Sequence, residues 1–503
     1  MKNIYILLIA LVLFGSCSDE LDQNPISASS TATFFSTPND FTQGVNAIYA
    51  DLAGYPDRLF NLSETRSDNM YAVSDGGVRD WEGINSFWST IANSGYMTEA
   101  WNTNFNGIMR ANIAIEQLDQ KGDNLIVDKV LLKRLKGESK FLRAFFYFDL
   151  VRIFGKVPVF DHPVLAEEAL ATPRNPVSEV YNLIIADLNF AKDNLLATNA
   201  ATDLGRPTKY SAESLLALVY MTRSGPTYGI EGPGLGLNEW KQAATLLDDI
   251  VASGKYAFLA DFKDIFKYSN EYNKEVIFDL NFISGQTPIL GSHFPATLVP
   301  ENWFTSKAFA TMGGSDRPLS WNFLTKFLKT DKRRPHTIHN GGYKYSGGKV
   351  DTLSFYIKYI DSTAVPKTIA LRFDWPINFI VSRYTDVLLL KAECILHDAS
   401  IGTQATVDGY VNQVRTRAGL PAVTNVTLEQ LMAERRLEFA AEGTRWHDLV
   451  RSGLVTTAMP AWIAKEDKQK LMKGTFQKEF IIYPIPTAEI DVKVGLYQQN
   501  AGY

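Results

Sequence analysis

Residues 128–155 read DKVLLKRLKGESKFLRAFFYFDLVRIFG and predict one long buried helix. Asp128 is a favourable N-cap, and Gly155, followed by Pro158, is a typical helix stop. Large apolar side chains occur in almost every turn between these ends: Leu131, Leu135, Leu142, Phe145, Phe146, Phe148 and Phe154. A helix with so much apolar surface belongs in a protein core.

Helical spacing of apolar residues continues on both sides of this segment. It predicts further helices near 102–119, 177–196, 209–223, 239–253, 383–399, 405–417 and 427–442. The last has a capping box, Thr427 with Gln430, and a stop at Gly443. Alanines at close-approach positions suggest stacked helical hairpins of the tetratricopeptide (TPR) type. We therefore expect a mainly α fold, a TPR-like helical-hairpin scaffold with long irregular loop insertions and a few short strands.

Two segments break the helical pattern, residues 61–100 and 256–380. Both are rich in Gly-Gly pairs, Pro and scattered Trp and Tyr, which indicates loops and short strands. Long irregular insertions in a regular scaffold are usually functional or disordered, and the aromatic content argues against disorder. We expect the scaffold helices at about 102–255 and 383–450, and the ligand-binding regions in these two segments.

The N-terminus resembles the export signal of a lipoprotein. Lys2 precedes an apolar run, Ile4 to Phe14, that is shorter than the roughly 20 residues a membrane span needs. Gly15-Ser16-Cys17 resembles the bacterial lipobox, and the acidic residues that follow resemble the surface-export signal of lipoproteins in the Bacteroidota. This predicts a signal peptide at 1–16, lipidation of Cys17, a lipid-anchored tether at 17–40 and a folded domain at 41–503. The alternative is plain secretion.

Composition excludes several classes of protein. The 503 residues are 46% hydrophobic and carry a net charge of -5, which fits a packed core and argues against a nucleic-acid binder. If Cys17 carries lipid, Cys394 has no disulfide partner, and its apolar surroundings indicate a buried thiol. Zinc-site and EF-hand spacings are missing, so the sequence predicts no cofactor and no metal-ligating residue, and it leaves open whether a structural ion is bound.

Several blocks resemble the SusD/RagB family of outer-membrane nutrient-binding lipoproteins. They are GESKFLRAFFYFDLV (137–151) with FGKVP (154–158), RYTDVLLLKAE (383–393), VNQVRTRAGL (411–420), ERRLEF (434–439), EG (442–443), RW (445–446), PIP (484–486) and QNAGY (499–503). Together with the lipobox and Leu21-Asp22, these blocks follow the family order along the whole chain. They cover the scaffold much better than the two irregular segments.

The resemblance implies a fold of four TPR-like helix pairs, anchored in the outer membrane and exposed at the cell surface. It also implies a SusC-like TonB-dependent transporter as partner. Such a protein captures glycans or other oligomeric nutrients without hydrolysing them, so we expect no enzyme activity and no catalytic residue.

Ligand-binding candidates are aromatic residues that have polar neighbours. A sugar packs its C–H face on an indole or phenol ring, while its hydroxyls need polar partners. Residues that meet both requirements are Trp81 with Asp80, Trp303 with Asn302, Trp321, and Tyr71. Burying about 60 Å² per ring contributes about 1.5 kcal/mol, so three stacks give an affinity near the millimolar range. Binding should be weak.

The many acidic residues keep a glycosidase as an alternative function, because such an enzyme needs only two carboxylates about 5 to 10 Å apart. Glu434, Glu438 and Glu442 share one helix stripe, however, and we interpret them as a structural ion-pair network neutralised by Arg435, Arg436 and Arg445. His447 beside Asp448 is expected on a helix surface. Three alternatives stay open: an all-helical glycosidase, a family member that binds peptide or another nutrient, and a purely structural lid.

Overall fold

The computed structural model describes residues 34–72, 79–307, 317–361, 371, 373–472 and 474–503. The predicted signal peptide at 1–16, Cys17 and most of the predicted tether lie outside these ranges. The folded body begins earlier than the predicted residue 41, because Phe35 is already buried and the first helix starts at Pro38.

Helices dominate the described residues. They are α1 (Pro38–Tyr49), α2 (Tyr55–Leu59), α3 (Asp80–Asn85), α4 (Gly95–Leu125), α5 (Lys129–Phe154), α6 (Ala166–Ala169), α7 (Val177–Asn194), α8 (Lys209–Ser224), α9 (Trp240–Ala252), α10 (Phe294–Leu298), α11 (Glu301–Ser306), α12 (Trp321–Lys326), α13 (Arg334–Thr337), α14 (Tyr384–His397), α15 (Gln404–Arg417), α16 (Leu428–Glu438), α17 (Arg445–Arg451), α18 (Val455–Glu466) and α19 (Thr487–Val492). A π-helical turn, Phe60–Glu64, follows α2.

Strands are short and lie between α9 and α14. They are β1 (Val276–Leu280), β2 (Ile338–His339), β3 (Tyr343–Lys344), β4 (Val350–Asp351), β5 (Phe355–Tyr356) and β6 (Phe379–Arg383). They form three antiparallel pairs, β1 with β6, β2 with β5 and β3 with β4.

The long helices pack on one another in chain order. Helix α4 packs on α5, α5 on α7, α7 on α8, α8 on α9, α9 on α14 and α14 on α15. Such stacking buries the apolar face of each hairpin against the next. The predicted mainly α, TPR-like scaffold is confirmed.

Helix α5 forms as its sequence predicts. The Asp128 carboxylate accepts hydrogen bonds from the amides of Val130 and Leu131, and Gly155 ends the helix with φ +69°. Most of its side chains, including Phe145 and Phe146, are buried in the main core. Cys394 is also fully buried, as predicted, and burial raises the pKa of its thiol.

Two helices differ from prediction by more than two residues at one end or both. Helix α4 spans 31 residues, far more than the predicted 102–119, because Ser94 caps it early. Helix α16 ends at Glu438 and not at 442, because the backbone turns at Ala441 and Gly443, whose φ angles are +67° and +72°. The capping box of Thr427 and Gln430 is present as predicted.

The predicted ion-pair network exists, but its partners come from other elements. Glu438 pairs with Arg333, Arg383 and Arg417, all nearly fully buried, and Glu442 pairs with Arg383 and Lys358. The prediction that Arg435, Arg436 and Arg445 neutralise this stripe was wrong. Positions next to each other on a helix point to different sides.

Those three arginines bind Asp68, Asp386 and Asp448 instead.

The position of His447 also differs from prediction. Its side chain is half-buried beside Arg152 and Arg451 in a small cavity. Burial first, and then these two guanidinium groups, lower the pKa of its imidazole well below the usual value. Within the described ranges, no helix combines the length and apolar character of a membrane span.

Candidate functional site

Two irregular segments, 69–72 and 317–322, meet at one place on the fold although they are about 250 residues apart in sequence. The Tyr71 amide donates to the Pro318 carbonyl at 3.0 Å, and the Ser320 amide donates to the Asn69 carbonyl at 2.8 Å. Arg436 of α16 links the two segments, because its guanidinium donates hydrogen bonds to the side chains of Asn69 and Asn322. This junction places three predicted binding aromatics, Tyr71, Trp81 and Trp321, on neighbouring elements.

Trp321 is the most exposed of the predicted binding aromatics, with 70% of its surface accessible. It is the first residue of α12, which Ser320 caps by accepting from the Phe323 amide. The Glu466 carboxylate at the end of α18 accepts hydrogen bonds from the amides of Trp321 and Asn322. The backbone is therefore held from two sides while the indole faces solvent.

Tyr71 is half-buried and tied to the same end of α18. Its hydroxyl donates to the Asp467 carboxylate at 2.6 Å, and its ring lies 6.3 Å from that of Trp462. Burial and this hydrogen bond raise the pKa of the phenol. Because the hydroxyl is engaged, Tyr71 can offer a ligand its ring face but not a free donor.

Trp81 lies in the first turn of α3 and is half-buried. The Asn85 side chain fixes this helix to the junction, since it bonds to the Ala72 amide and the Met70 carbonyl. Two guanidinium groups approach the Trp81 ring, that of Arg317 at 5.1 Å and that of Arg79 at 5.6 Å. Such cation–π contacts orient the indole.

Arg317 is the residue that sequence reasoning missed. It is only 6% exposed, and burial lowers its pKa. Its guanidinium also lies over Phe60 and donates to Asn61. It therefore connects Trp81 to the π-helical turn. No local signal marks Arg317, because its role depends on contacts between distant segments.

Asp80 has a structural partner rather than a free carboxylate. It accepts from the Ser94 hydroxyl at 3.0 Å and from the Gly95 amide at 3.3 Å, at the N-terminus of α4. An acidic residue there is favoured by the helix dipole. Asp80 therefore lies beside Trp81, but its hydrogen bonds anchor α4, and we do not include it in the site.

Trp303 does not belong to the exposed surface. Its indole is 2% exposed and packs against Phe304 and Phe355, so it has no face for a sugar. Its neighbour Asn302 donates to Asp351 at 2.8 Å. The structure contradicts the prediction for Trp303, and we withdraw this residue from the site. The polar sequence around Trp303 gives no sign of its contact with Phe355, which lies 52 residues further along the chain.

The site thus consists of Tyr71, Arg79, Trp81, Arg317 and Trp321, which we call the aromatic site. The ring faces and the exposed guanidinium group of Arg79 suit a ligand with both C–H surfaces and hydroxyls, while the buried Arg317 orients Trp81. Within the described ranges, no group of three or more His, Cys, Asp or Glu side chains is placed to hold a metal ion. The arrangement can bind and orient a ligand.

Fold and site together define a class: a helical-repeat protein that presents aromatic rings on irregular insertions. Known proteins give that class a family. Residues 358–503 match the SusD family model, and residues 19–221 match a model described as starch-binding and associating with the outer membrane. The chain belongs to the SusD/RagB family, as its sequence blocks predicted.

Three similar proteins support this assignment. The SusD-like protein P38 of Formosa agariphila is 28% identical, over 91% of this chain and 93% of its own. The starch-binding protein SusD of Bacteroides thetaiotaomicron is 25% identical, over 74% of this chain and 73% of its own. A solved laminarin binding SusD-like protein is 27% identical and has a TM-score of 0.75, covering 93% of this chain and all of its own.

Proposed function

We propose that this chain is a non-catalytic glycan-binding protein that captures an oligosaccharide at the aromatic site. The observation that carries the proposal is the 70% exposed indole of Trp321, whose backbone Glu466 holds in place. An exposed tryptophan on a rigid backbone costs little conformational entropy when it binds. Trp81 and Tyr71 on adjoining elements extend the contact surface.

The relatives support glycans as the ligand class, since starch and laminarin occur in their names. Residues 19–221 match a family described as associating with the outer membrane, which supports the outer membrane as the location of this protein. Our proposal includes lipidation of Cys17 and exposure at the cell surface. It also includes delivery of the ligand to a SusC-like TonB-dependent transporter. Tethering beside such a partner raises the local ligand concentration, so a weak site suffices.

Affinity electrophoresis of the folded domain on gels containing laminarin or soluble starch tests this proposal. We expect Trp321→Ala to weaken binding about tenfold, because one stack contributes about 1.5 kcal/mol. Leu328→Ala is the matched control, since Leu328 is 55% exposed just beyond the same helix. Equal retardation of Trp321→Ala and the parent, on a glycan that retards the parent, would refute the choice of site.

The enzyme alternative predicts a different readout. A glycosidase would release reducing ends from a polysaccharide that the domain retards, whereas a binding protein leaves the polymer intact. New reducing ends after prolonged incubation would overturn the non-catalytic assignment. A peptide-binding family member would show no retardation on any glycan gel.

A further inference from the structure

A second cleft lies on another part of the fold, between the C-terminal end of α1, the loop before α8, and β1 with the hairpin that follows it. Its volume is about 480 Å³, within the roughly 300 to 1,000 Å³ typical of small-ligand sites. None of the five residues of the aromatic site lines it. The cleft is thus separate from the proposed glycan site.

The walls of this cleft are mainly apolar and unusually exposed. Leu204, Ile283, Ile289 and Leu290 line it, with exposed fractions from 44% to 60%. A bridge between Ile283 and Leu290 holds the hairpin in place. Contiguous exposed apolar side chains of this kind mark binding surfaces.

A buried carboxylate, Asp279 of β1, also lines the cleft. Asp279 is 3% exposed, and its carboxylate accepts a hydrogen bond from the Asn378 side chain at 3.0 Å. Among the described residues, no Lys, Arg or His nitrogen lies within salt-bridge distance of it. Burial, together with the nearby Glu271, raises its pKa to about 7. A buried carboxylate without a cation is costly unless it is protonated or finds a positive partner.

The surrounding charged groups do not supply that partner. Arg206 lines the cleft, but its three nitrogens bind Glu138, Asp203 and Asn46. Glu271, on the other side, has the same sign of charge as Asp279 and accepts from the Asn378 amide.

Lys255 and Lys274 line only the adjoining cleft, which also contacts Asp279 and Tyr272. Neither lysine forms an ion pair with Asp279. The Tyr272 phenol cannot carry a positive charge, and burial raises its pKa, which keeps it neutral.

The geometry points to a binding site for a small organic cation, an alkylammonium group with an apolar chain, with Asp279 holding the ammonium. The apolar chain would lie along Ile289 and Leu290, and the ammonium would complete the missing charge pair. A hard metal ion is a poorer occupant, because it requires several oxygen ligands and Asp279 is the single carboxylate on this lining. This site is independent of the proposed glycan function.

Ligand-observed NMR titration of the folded domain tests the proposal with three six-carbon probes: hexylamine, hexanol and hexanoate. At pH 8 we expect hexylammonium to bind at least about tenfold tighter than hexanol, because its ammonium forms a charge-assisted bond. Lowering the pH to 6 should protonate Asp279 and weaken the affinity for hexylammonium about tenfold. Hexanoate should bind weakest.

The variant Asp279→Asn should abolish the preference for hexylammonium over hexanol. Asp203→Asn, which removes a charge beside the cleft, should preserve it. Leu204→Trp, on the exposed rim, should weaken both probes by filling the cleft, and it tests the site even if Asp279→Asn does not fold. The proposal is overturned if the parent binds hexylammonium no tighter than hexanol, if Asp279→Asn keeps the preference, or if Leu204→Trp binds both probes normally.

Discussion

At the residue scale, two tryptophans with similar local sequences differ sharply in exposure. Trp303 follows Glu301-Asn302 and Trp321 precedes Asn322, yet the first is 2% exposed and the second 70%. The difference comes from neighbours that are distant in sequence. Trp303 packs on Phe355, whereas the amide of Trp321 is drawn to Glu466 and its ring is left outside.

Asp68 shows how charge fixes the same region. Its carboxylate pairs with Arg445 at 2.8 Å and with Arg436 at 3.3 Å, directly before the segment 69–72. Burial opposes ionisation of Asp68, but the two guanidinium groups outweigh it and lower its pKa to about 2. The ionised form therefore stabilises the fold at neutral pH.

We predict that this contribution disappears in acid. Because the pKa of Asp68 is lower in the folded state, its stabilisation is present above about pH 4 and is lost as the pH falls towards 2. The free energy of unfolding of Asp68→Asn, measured with urea, should fall short of the parent value at pH 5. That gap should shrink by about 2 kcal/mol on going to pH 2.5. A gap that does not change with pH would contradict this account of Asp68.

At the element scale, the crossing of α4 and α5 depends on one small residue. A β-carbon added to Gly107 would lie 2.7 Å from Cδ2 of Phe146 and closer still to other atoms of that ring. The ring of Phe146 is fully buried in the main core and cannot move aside freely. Glycine is therefore required here by packing rather than by backbone conformation.

Gly107→Ala should destabilise the protein by about 1 to 3 kcal/mol, although alanine is the better helix former. Gly409→Ala in α15 is the matched control, because a β-carbon there meets nothing within 4 Å. The control should be neutral or stabilise by up to about 1 kcal/mol. Thermal and urea unfolding of the two variants measures this, and a stabilised Gly107→Ala would contradict the packing argument.

Helices such as α5 could be predicted because caps, stops and apolar spacing are local signals. The predicted C-terminal end of α16, residue 442, was wrong, because the sequence does not show that Ala441 adopts a positive φ. Tyr71, Trp81 and Trp321 are predicted from aromatic residues with polar neighbours, and their binding role stays a prediction. The junction of 69–72 with 317–322, and the part that Arg317 plays in it, could not be predicted because hydrogen bonds between distant segments create them.

At the scale of the whole molecule, we propose that lipid on Cys17 anchors the helical scaffold to the outer membrane. We predict that Cys17→Ala, expressed in a member of the Bacteroidota, leaves the folded domain intact but releases it from the outer-membrane fraction. One acyl chain binds a membrane only marginally, whereas two or more anchor a protein stably. Fractionation and protease accessibility of intact cells measure the outcome. Retention of Cys17→Ala in the membrane would contradict lipid anchoring at this residue.

The central claim is that glycan binds where Trp321 faces solvent, without contacting the buried indole of Trp303. Fluorine NMR of the domain labelled with 5-fluorotryptophan tests it, with the resonances of Trp81, Trp303 and Trp321 assigned by single Trp→Phe variants. On titration with a glycan that retards the domain, we predict shifts at Trp321 and Trp81 and none at Trp303. An unchanged Trp321 resonance at saturating glycan would contradict the claim.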